Sequence, residues 1–395
     1  MTPPQVSFDD TQTAFAGRSD EELKKTRWLF RLMGNSLIVD IGAHITQMAL
    51  RIGLPVTSLV KQTIYSQFCG GETLAETEPT IARLAKHRVN TILDYGVEAK
   101  ESEDEFDRNV EEQLRAIVFA DQNNAVPYVS CKITGYASFA LLQKLHTQED
   151  LSAEEQAAHA RMLARLERIC SAAVQRDVAL YIDAEESWIQ DGIDRLVDDL
   201  MERWNTEKPT VFNTIQLYRH DRLAFLHASH QRAAEKGYFL GVKLVRGAYM
   251  EKERARAESN GYRSPIHENK AAVDADFDAA LVFCLEQLSR IAFCAATHNE
   301  DSCLLLVNEA IKREIPLTHP HIHFAQLLGM SDHISYNLAQ AGFNVSKYVP
   351  YGPVRDVVPY LIRRAEENRS IAGQVGRELR LVQDEIRRRA NPSGR

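Results

Sequence analysis

The sequence predicts an α/β protein built on a closed (β/α)8 barrel, and three observations support this fold class. Short β-branched or apolar runs alternate with longer helical patterns along most of the 395 residues. Eight such runs occur, which is the number of parallel strands that closes a barrel of this type. No internal repeat or low-complexity run interrupts the alternation. A barrel with additional flanking helices therefore accounts for the length of the chain.

The predicted strands are short and are separated by amphipathic helical patterns, of which Ala153–Gln175, Asp191–Arg203 and Arg222–Lys236 are examples. The boundaries of such predicted elements carry errors of about 2–4 residues. The predicted strands are Thr91–Val97, Tyr128–Thr134, Ala179–Asp183, Val211–Leu217, Phe239–Val245, Phe293–Thr297, Ile322–Leu327 and Asn344–Val349.

Helical segments flank the predicted barrel on both sides. We expect residues 1–90 to form a helical N-terminal arm, residues 91–370 the barrel, and residues 371–395 a C-terminal helical tail. One helix, Val354–Asn368, follows the last strand, and a charged amphipathic pattern continues from Ile371.

The composition argues against several classes of protein. The formal net charge is −8, with 26% charged residues, whereas a nucleic-acid-binding protein needs a clustered basic surface. The six cysteines form no CxxC pair, and the acidic start of the chain has no apolar run. We therefore expect reduced thiols, a cytoplasmic location and no nucleic-acid partner.

The most apolar stretch, Leu37 to Val60, is interrupted by Asp40 and Arg51. A membrane-spanning helix needs about 20 mostly apolar residues. The stretch is therefore expected to pack on the protein as an amphipathic helix, with a peripheral contact to a membrane as the alternative.

Polar and ionisable residues gather where the predicted strands end, which is where barrels of this type hold their chemistry. Lys132 and Lys243 lie inside strands between apolar neighbours, and a buried lysine is costly unless it is paired. Asp183, at the end of the third strand, is a suitable partner for one of them. Further polar groups follow the other strands, namely Glu185, Gln216, Arg246, Tyr249, Thr297, His298 and Tyr348.

The last predicted helix carries two adjacent arginines, Arg363 and Arg364. A guanidinium binds a carboxylate through two parallel hydrogen bonds, so the pair is a candidate anion-binding element. An exposed basic pair is the alternative, and Glu367, four residues after Arg363, could form an ion pair with it.

Other motifs carry less information. The chain contains neither GxGxxG after a strand nor GxxxxGK[ST]. His319, His321 and His323 alternate and would share one face of a strand, which suggests zinc. They lie at the start of the seventh strand, however, away from the expected site, so packing or solvated histidines are favoured and no metal is expected.

Several motifs together closely resemble the proline dehydrogenase family. They are Asp183-Ala184-Glu185, VKLVRGAYM (Val242–Met250), ATHN (Ala296–Asn299) and KYVPYGP with PYLIRRAEEN (Lys347–Asn368). The resemblance extends from about Thr91 to Asn368 and implies a distorted (β/α)8 TIM-type barrel that binds FAD.

The resemblance also implies roles for individual residues. Asp183 and Lys243 would be catalytic, with Lys243 facing the reactive nitrogen of the flavin, and Glu367 would support the arginines. The substrate would be bound by Lys132, Tyr249, Leu327, Tyr348, Arg363 and Arg364. The cofactor would be bound by Ala184, Gln216, Lys243, Arg246, Gly247, Ala248, Thr297 and His298.

The implied reaction is oxidation of L-proline to Δ1-pyrroline-5-carboxylate, with hydride transfer to FAD and electron delivery to a membrane quinone. A peripheral position on the inner membrane and coupling to a separate pyrroline-5-carboxylate dehydrogenase are expected partnerships. Many bacterial members have arginine where this chain has Lys243, which keeps the charge and lacks the planar fork. Eukaryotic members are similar to this chain in having lysine there.

Four alternatives remain from the sequence. A hydroxyproline-oxidising branch is similar over the same motifs but lacks the tyrosine at the position of Tyr348, which favours proline here. A lysine aldolase on the same barrel would use Lys132 or Lys243 as a Schiff-base nucleophile. A non-catalytic barrel would lack an organised charged interior, and a folate-linked flavin reductase would have no use for Arg363 and Arg364.

Overall fold

A computed structural model describes residues 6–33, 57–96, 101–370 and 374–391, apart from the side chains at 59, 365–370 and 374–375. The apolar stretch Leu37–Val60 lies outside the described residues except for its last four. Val97, the last residue of the first predicted strand, also lies outside them.

Eight strands, β1 to β8, hydrogen-bond to one another in chain order and close into a barrel. Neighbouring strands from β1 to β7 run parallel, as the β/α alternation requires. The fold class predicted from the sequence is confirmed. The strands are β1 (Val89–Tyr95), β2 (Tyr128–Lys132), β3 (Ala179–Asp183), β4 (Val211–Gln216), β5 (Leu240–Val245), β6 (Ile291–Ala296), β7 (Ile322–Leu327) and β8 (Val345–Tyr351).

Helices connect the strands, and each begins and ends on recognisable local chemistry. In the helix Ala153–Gln175, Ser152 and Glu155 form a reciprocal capping box at the first turn. The helix Arg222–Lys236 ends at Gly237, which has the left-handed conformation with φ of 81°. The connecting helices are α6 (Glu103–Asp121), α7 (Phe139–Thr147), α8 (Ala153–Gln175), α9 (Ser187–Trp204), α10 (Arg222–Lys236), α11 (Met250–Asn260), α12 (Lys270–Glu286), α13 (Glu300–Lys312), α14 (Asp332–Ala341) and α15 (Val354–Ser370).

The segments before β1 and after α15 are also helical where the structure describes them. A π-helical turn, Lys61–Tyr65, separates α3 from α4, and the Tyr65 hydroxyl donates to the Gly352 carbonyl at 2.8 Å. These flanking helices are α1 (Thr11–Ala14), α2 (Asp20–Met33), α3 (Thr57–Val60), α4 (Ser66–Phe68), α5 (Leu74–Ala85) and α16 (Gln374–Ala390).

The chain divides into two compact units, residues 1–91 with 326–395 and residues 92–325. In the first unit, α16 packs on α1 and α2. Glu385 accepts hydrogen bonds from Thr11, Arg388 and Arg389 at 2.7–3.0 Å, and Leu381 and Val382 are buried beside it. The two ends of the chain therefore share one core.

The second unit buries an aromatic cluster at the amino-terminal side of its strands. Tyr128 stacks on Tyr181 with ring centroids 4.8 Å apart, and Phe212 meets Tyr181 edge-on at 5.0 Å. His323 lies 4.6 Å from the ring of Tyr128. Side chains thus fill the interior of this unit at the amino-terminal side of its strands, as expected for a barrel.

Candidate active site

The site residues predicted in the second unit all lie at or just beyond the carboxyl ends of strands. Lys132, Asp183 and Gln216 are the last residues of β2, β3 and β4, and Lys243 precedes the end of β5 by two residues. Ala184 is buried directly after β3. Parallel strands present these ends at one rim, so the barrel brings the side chains together.

Asp183 forms an ion pair with each of two lysines. The Lys132 ammonium donates to one carboxylate oxygen at 2.9 Å, and the Lys243 ammonium donates to the other. Lys243 is buried and also lies over the ring of Tyr181, with its nitrogen 5.6 Å from the centroid. The cluster therefore carries two positive charges and one negative charge in a site with little access to water.

Two effects of opposite sign act on the acidity of Asp183. Burial alone would raise the pKa of this carboxyl group, but the charges of Lys132 and Lys243 and the hydrogen bonds from both lysines outweigh it. The pKa consequently lies well below its usual value. Asp183 is ionised at neutral pH and holds both ammonium groups in place.

Gln216 presents an amide with one satisfied and one unsatisfied end. Its Nε2 donates to the backbone carbonyl of Glu185 at 3.0 Å, and the side chain is buried. Within the described part of the chain, no donor contacts Oε1. A buried acceptor without a donor is uncommon, so this atom is suited to an N–H group of a bound ligand.

The loop after β5 is anchored by Arg246. Its guanidinium donates to Asp274 at 2.9 Å, to the Thr297 hydroxyl at 2.6 Å and to the Ser302 hydroxyl at 3.0 Å. The neighbouring Gly247 has φ of 139°, and a Cβ there would lie 2.5 Å from the ring of Tyr218. Only glycine fits this position, which lets the backbone turn closely over that ring.

The remaining predicted residues of this unit surround the same rim. Thr297 is buried and His298 is half-buried immediately after β6. Ala248 is exposed, and Tyr249 is half-buried at the start of α11. All four residues follow the carboxyl ends of β5 and β6.

In the first unit, the predicted substrate-binding residues lie on β7, β8 and α15. Leu327 is the last residue of β7, and Tyr348 is buried within β8. Arg363 is half-buried, whereas Arg364 is buried with its guanidinium 4.9 Å from the centroid of Tyr360. Glu367 belongs to α15, but its side chain lies outside the described residues.

Sequence reasoning assigned no role or partner to two groups. In the first unit, Lys347 is fully buried and pairs with Asp332 at 3.0 Å, which also binds Arg18 at 3.0 Å. In the second unit, burial raises the pKa of Glu185 to about 7, although Lys132 and Thr134 act in the opposite direction. Both residues stand in the quoted motifs, but nothing in their spacing indicates these partners.

The three alternating histidines are not arranged as ligands. β7 begins at Ile322, so only His323 belongs to the strand, and burial lowers its pKa to about 3. His321 contacts the Leu288 carbonyl at 2.7 Å. Over the residues that the structure describes, no group of three His, Cys, Asp or Glu side chains is placed to hold a metal.

The residues of the second unit fit a flavin by their chemistry. The isoalloxazine ring has an N–H donor flanked by carbonyl groups, which suits the unsatisfied Gln216 Oε1. The cationic Lys132–Asp183–Lys243 cluster favours a ring that gains negative charge. Gln216, Lys243, Arg246 and Gly247 could therefore hold this cofactor.

The chain is similar to one protein family and to several known proteins. A family profile described as "Proline dehydrogenase" matches residues 77–377. "Carbapenem antibiotics biosynthesis protein CarD" of Pectobacterium carotovorum subsp. carotovorum is 36% identical over 326 residues, which cover 82% of this chain and 84% of that protein. "Proline dehydrogenase 1, mitochondrial" of Arabidopsis thaliana is 33% identical over 431 residues, which cover 97% of this chain and 86% of that protein.

Among solved structures, proline utilization A (PutA) from Bdellovibrio bacteriovorus inactivated by N-propargylglycine superposes with a TM-score of 0.72 at 20% identity. The superposition covers 91% of this chain and 38% of that chain, so this chain corresponds to less than half of it. At this identity, the likeness supports the barrel fold alone. None of the helices in the described part of the chain is long and apolar enough to cross a membrane.

Proposed function

Because the chain belongs to the proline dehydrogenase family, we propose that it oxidises L-proline to Δ1-pyrroline-5-carboxylate with FAD as the hydride acceptor. The observation that carries this proposal is the Lys132–Asp183–Lys243 cluster, in which Asp183 and Lys243 are buried, beside a strand that ends in Gln216 with its unsatisfied Oε1. Bound FAD supplies the two-electron acceptor, and the protein supplies binding, orientation and electrostatics.

The cationic cluster selects the form of the substrate that reacts. Oxidation removes a hydride from the ring carbon next to nitrogen and a proton from the amine. The excess positive charge of Lys132 and Lys243 disfavours a protonated amine nearby and attracts a carboxylate. The substrate with a neutral amine is therefore the reactive species in this proposal.

Asp183 orients the two lysines and does not accept the amine proton. A carboxylate with a pKa well below its usual value is a weak proton acceptor at neutral pH. Its two oxygens are each engaged by an ammonium group. Lys243 is thereby held in the barrel interior, where a cation stabilises negative charge on the reduced cofactor.

We assign the substrate carboxylate to Arg363 and Arg364, as the sequence predicts. A guanidinium pair fixes a carboxylate in direction as well as in distance, which contributes to catalysis by holding the reacting carbon in one position. Tyr249, Leu327 and Tyr348 would surround the ring of proline.

The absorbance spectrum of the purified protein tests this function. We expect a flavin band that bleaches on anaerobic addition of L-proline and bleaches less with trans-4-hydroxy-L-proline. Stronger bleaching with hydroxyproline would transfer the protein to the hydroxyproline branch. A protein that shows no flavin band, even after incubation with FAD, would refute the proposal.

The same sample discriminates the lysine aldolase. A Schiff-base lysine must be unprotonated to attack, whereas both candidate lysines contact the Asp183 carboxylate. We therefore expect no borohydride trapping of a keto-acid substrate on Lys132 or Lys243. Trapping at either lysine would favour the aldolase.

We also propose that electrons pass to a membrane quinone and that a separate pyrroline-5-carboxylate dehydrogenase consumes the product.

One feature supports a peripheral membrane contact: Trp28 on α2 is 52% exposed, and Lys24 and Arg31 are exposed on the same helix face. Exposed tryptophan with flanking cations is typical of membrane-interface helices. Co-sedimentation with anionic liposomes should weaken in Trp28→Ser, and equal sedimentation of both proteins would contradict the contact.

A further inference from the structure

Glu185 lies two residues after Asp183 and is 4% exposed. Its carboxyl group makes two hydrogen bonds to one residue. Oε1 accepts from the Thr134 backbone N–H at 3.1 Å, and Oε2 accepts from the Thr134 hydroxyl at 2.6 Å. The contact joins the segment after β3 to the turn Ile133–Gly135, which follows Lys132 directly.

The backbone of Glu185 makes two more contacts with side chains. Its N–H donates to Gln190 Oε1 at 2.7 Å, and its carbonyl accepts from Gln216 Nε2 at 3.0 Å. A single residue therefore links the ends of β2, β3 and β4. These are the strand ends that carry Lys132, Asp183 and Gln216.

The support continues into the helix layer. Gln190 Nε2 donates to Asp194 at 2.9 Å, and Asp194 also binds Arg222 at 2.6 Å and Asn213 at 3.0 Å. This network fixes the orientation of the Gln190 amide, so that its oxygen faces the N–H of Glu185. Buried groups of the helix layer thus fix the position of the Glu185 backbone.

We propose that Glu185 is a positioning residue that places Lys132 through Thr134 and orients Gln216 so that its Oε1 faces the bound ligand. The proposal rests on the proposed function for what Lys132 and Gln216 bind. The Thr134 contact fixes the direction in which the chain leaves β2, and Lys132 is two residues earlier. The Glu185 carbonyl takes the NH2 end of Gln216, which leaves the oxygen for an N–H donor.

The chemistry of Glu185 provides a conservative replacement. Burial raises its pKa to about 7, so the neutral carboxyl group is populated near neutrality. Glutamine resembles that form. In Glu185→Gln, the amide oxygen can accept from the Thr134 N–H, and the NH2 group can donate to the Thr134 hydroxyl.

A matched control is available in the same unit. Asp198 on α9 is a partly buried carboxyl group whose pKa burial also raises to about 7, and it pairs with Arg232 on α10. Among the described residues, its ion pair and hydrogen bond reach none of the predicted site residues. Asp198→Asn therefore measures the cost of losing a carboxylate of raised pKa away from the strand ends.

The experiment compares five variants with the wild type by titration of the apoprotein with FAD, by the flavin absorption envelope, and by kcat and KM for L-proline. We expect Glu185→Ala to weaken FAD binding about tenfold or more, to shift the flavin spectrum and to raise KM. Glu185→Gln should keep the FAD affinity and KM within about threefold of the wild type and leave the flavin spectrum unshifted. Thr134→Val should follow Glu185→Ala, whereas Thr134→Ser and Asp198→Asn should follow the wild type.

The outcomes separate this inference from the proposed function. A wild-type protein that does not bind FAD or is not reduced by proline refutes both. A wild-type protein that works, with Glu185→Ala and Thr134→Val unchanged in affinity, spectrum and KM, refutes the positioning role alone. If Glu185→Ala does not fold, a spectrum and KM of Thr134→Val that equal those of Thr134→Ser refute it instead.

Discussion

Asp183 is surrounded by cations that come from two strands on opposite sides of it in chain order, β2 and β5. If either lysine is removed, the other becomes the sole partner of Asp183 in this cluster. Removal of Asp183 itself would leave two positive charges without this counter-ion in a buried place, which is costly. The three residues therefore act as one unit, and the effects of single substitutions on activity will not be additive.

The arginines of α15 provide the residue-scale prediction. Arg364→Lys keeps the charge but removes the planar fork that binds a carboxylate through two hydrogen bonds. We expect KM for L-proline to rise about tenfold or more, with a smaller change in kcat, because mainly substrate binding is lost. Steady-state kinetics on the flavin-loaded protein measure both.

The matched control lies on the same helix. Arg355 is exposed, and Arg355→Lys should leave KM within about twofold of the wild type. An equal rise of KM in both variants would show that α15 responds as a whole and that Arg364 has no specific role.

The ionic cluster could be predicted at this scale, but its support could not. Lys132 and Lys243 stand out because apolar neighbours flank them, and Asp183 follows as the nearest strand-end carboxylate. The contact of Glu185 with Thr134 joins residues 51 positions apart and depends on how β2 ends. No local pattern encodes that geometry.

At the scale of elements, the alternation of patterns predicted all eight strands, with ends that differ from the observed ones by at most two residues. The second strand ends at Lys132 instead of Thr134 because Ile133–Gly135 turns into a 3-10 helix. This turn also directs Thr134 to Glu185. Strand ends depend on such tertiary contacts, whereas strand cores depend on apolar periodicity.

Helix α16 was predicted from its charged amphipathic pattern, but its partners were not. Its apolar residues Leu381 and Val382 pack into a core shared with Leu23 and Phe30 of α2, which lie more than 300 residues earlier. Amphipathic periodicity shows that a helix has a face to bury. It does not show which element covers that face.

The element-scale prediction concerns this packing. Leu381→Ala should lower the free energy of unfolding by about 2–4 kcal/mol, since Leu381 is 2% exposed and its truncation leaves a cavity. Denaturant unfolding monitored by circular dichroism measures the change.

Arg380→Ala, at the exposed neighbouring position, should change stability by about 0.5 kcal/mol or less. Coincident unfolding curves of Leu381→Ala and the wild type would mean that α16 contributes little to the core of its unit.

At the scale of the whole molecule, burial of titratable groups makes stability depend on pH. His323 is buried against Tyr128, and burial lowers its pKa from 6.5 to about 3. Between these values the unfolded chain binds a proton that the folded chain does not. The contribution of His323 to folding stability is therefore present above pH 6.5 and is lost progressively as the pH falls toward 3.

His323→Phe removes this titration and keeps an aromatic ring beside Tyr128. At pH 5.5, the protonation penalty of the wild type is about 1.4 kcal/mol. When the pH is lowered from 7.5 to 5.5, the unfolding free energy of the wild type should therefore fall by about 1.4 kcal/mol more than that of His323→Phe. Thermal or denaturant unfolding at several pH values measures it.

Because His220 is exposed, His220→Gln is the control for replacing a histidine at the surface. If the stabilities of His323→Phe and the wild type changed in parallel with pH, the acid sensitivity would arise from other groups.

The packing of α16 against α1 and α2 has a consequence for synthesis on the ribosome. The hydrogen bond from Thr11 to Glu385 joins residues 374 positions apart. At about 5–20 residues per second, roughly 20 to 75 s separate the translation of the two partners. During that interval the apolar side chains of α2 lack part of their cover, so this surface of the nascent chain stays exposed until α16 emerges.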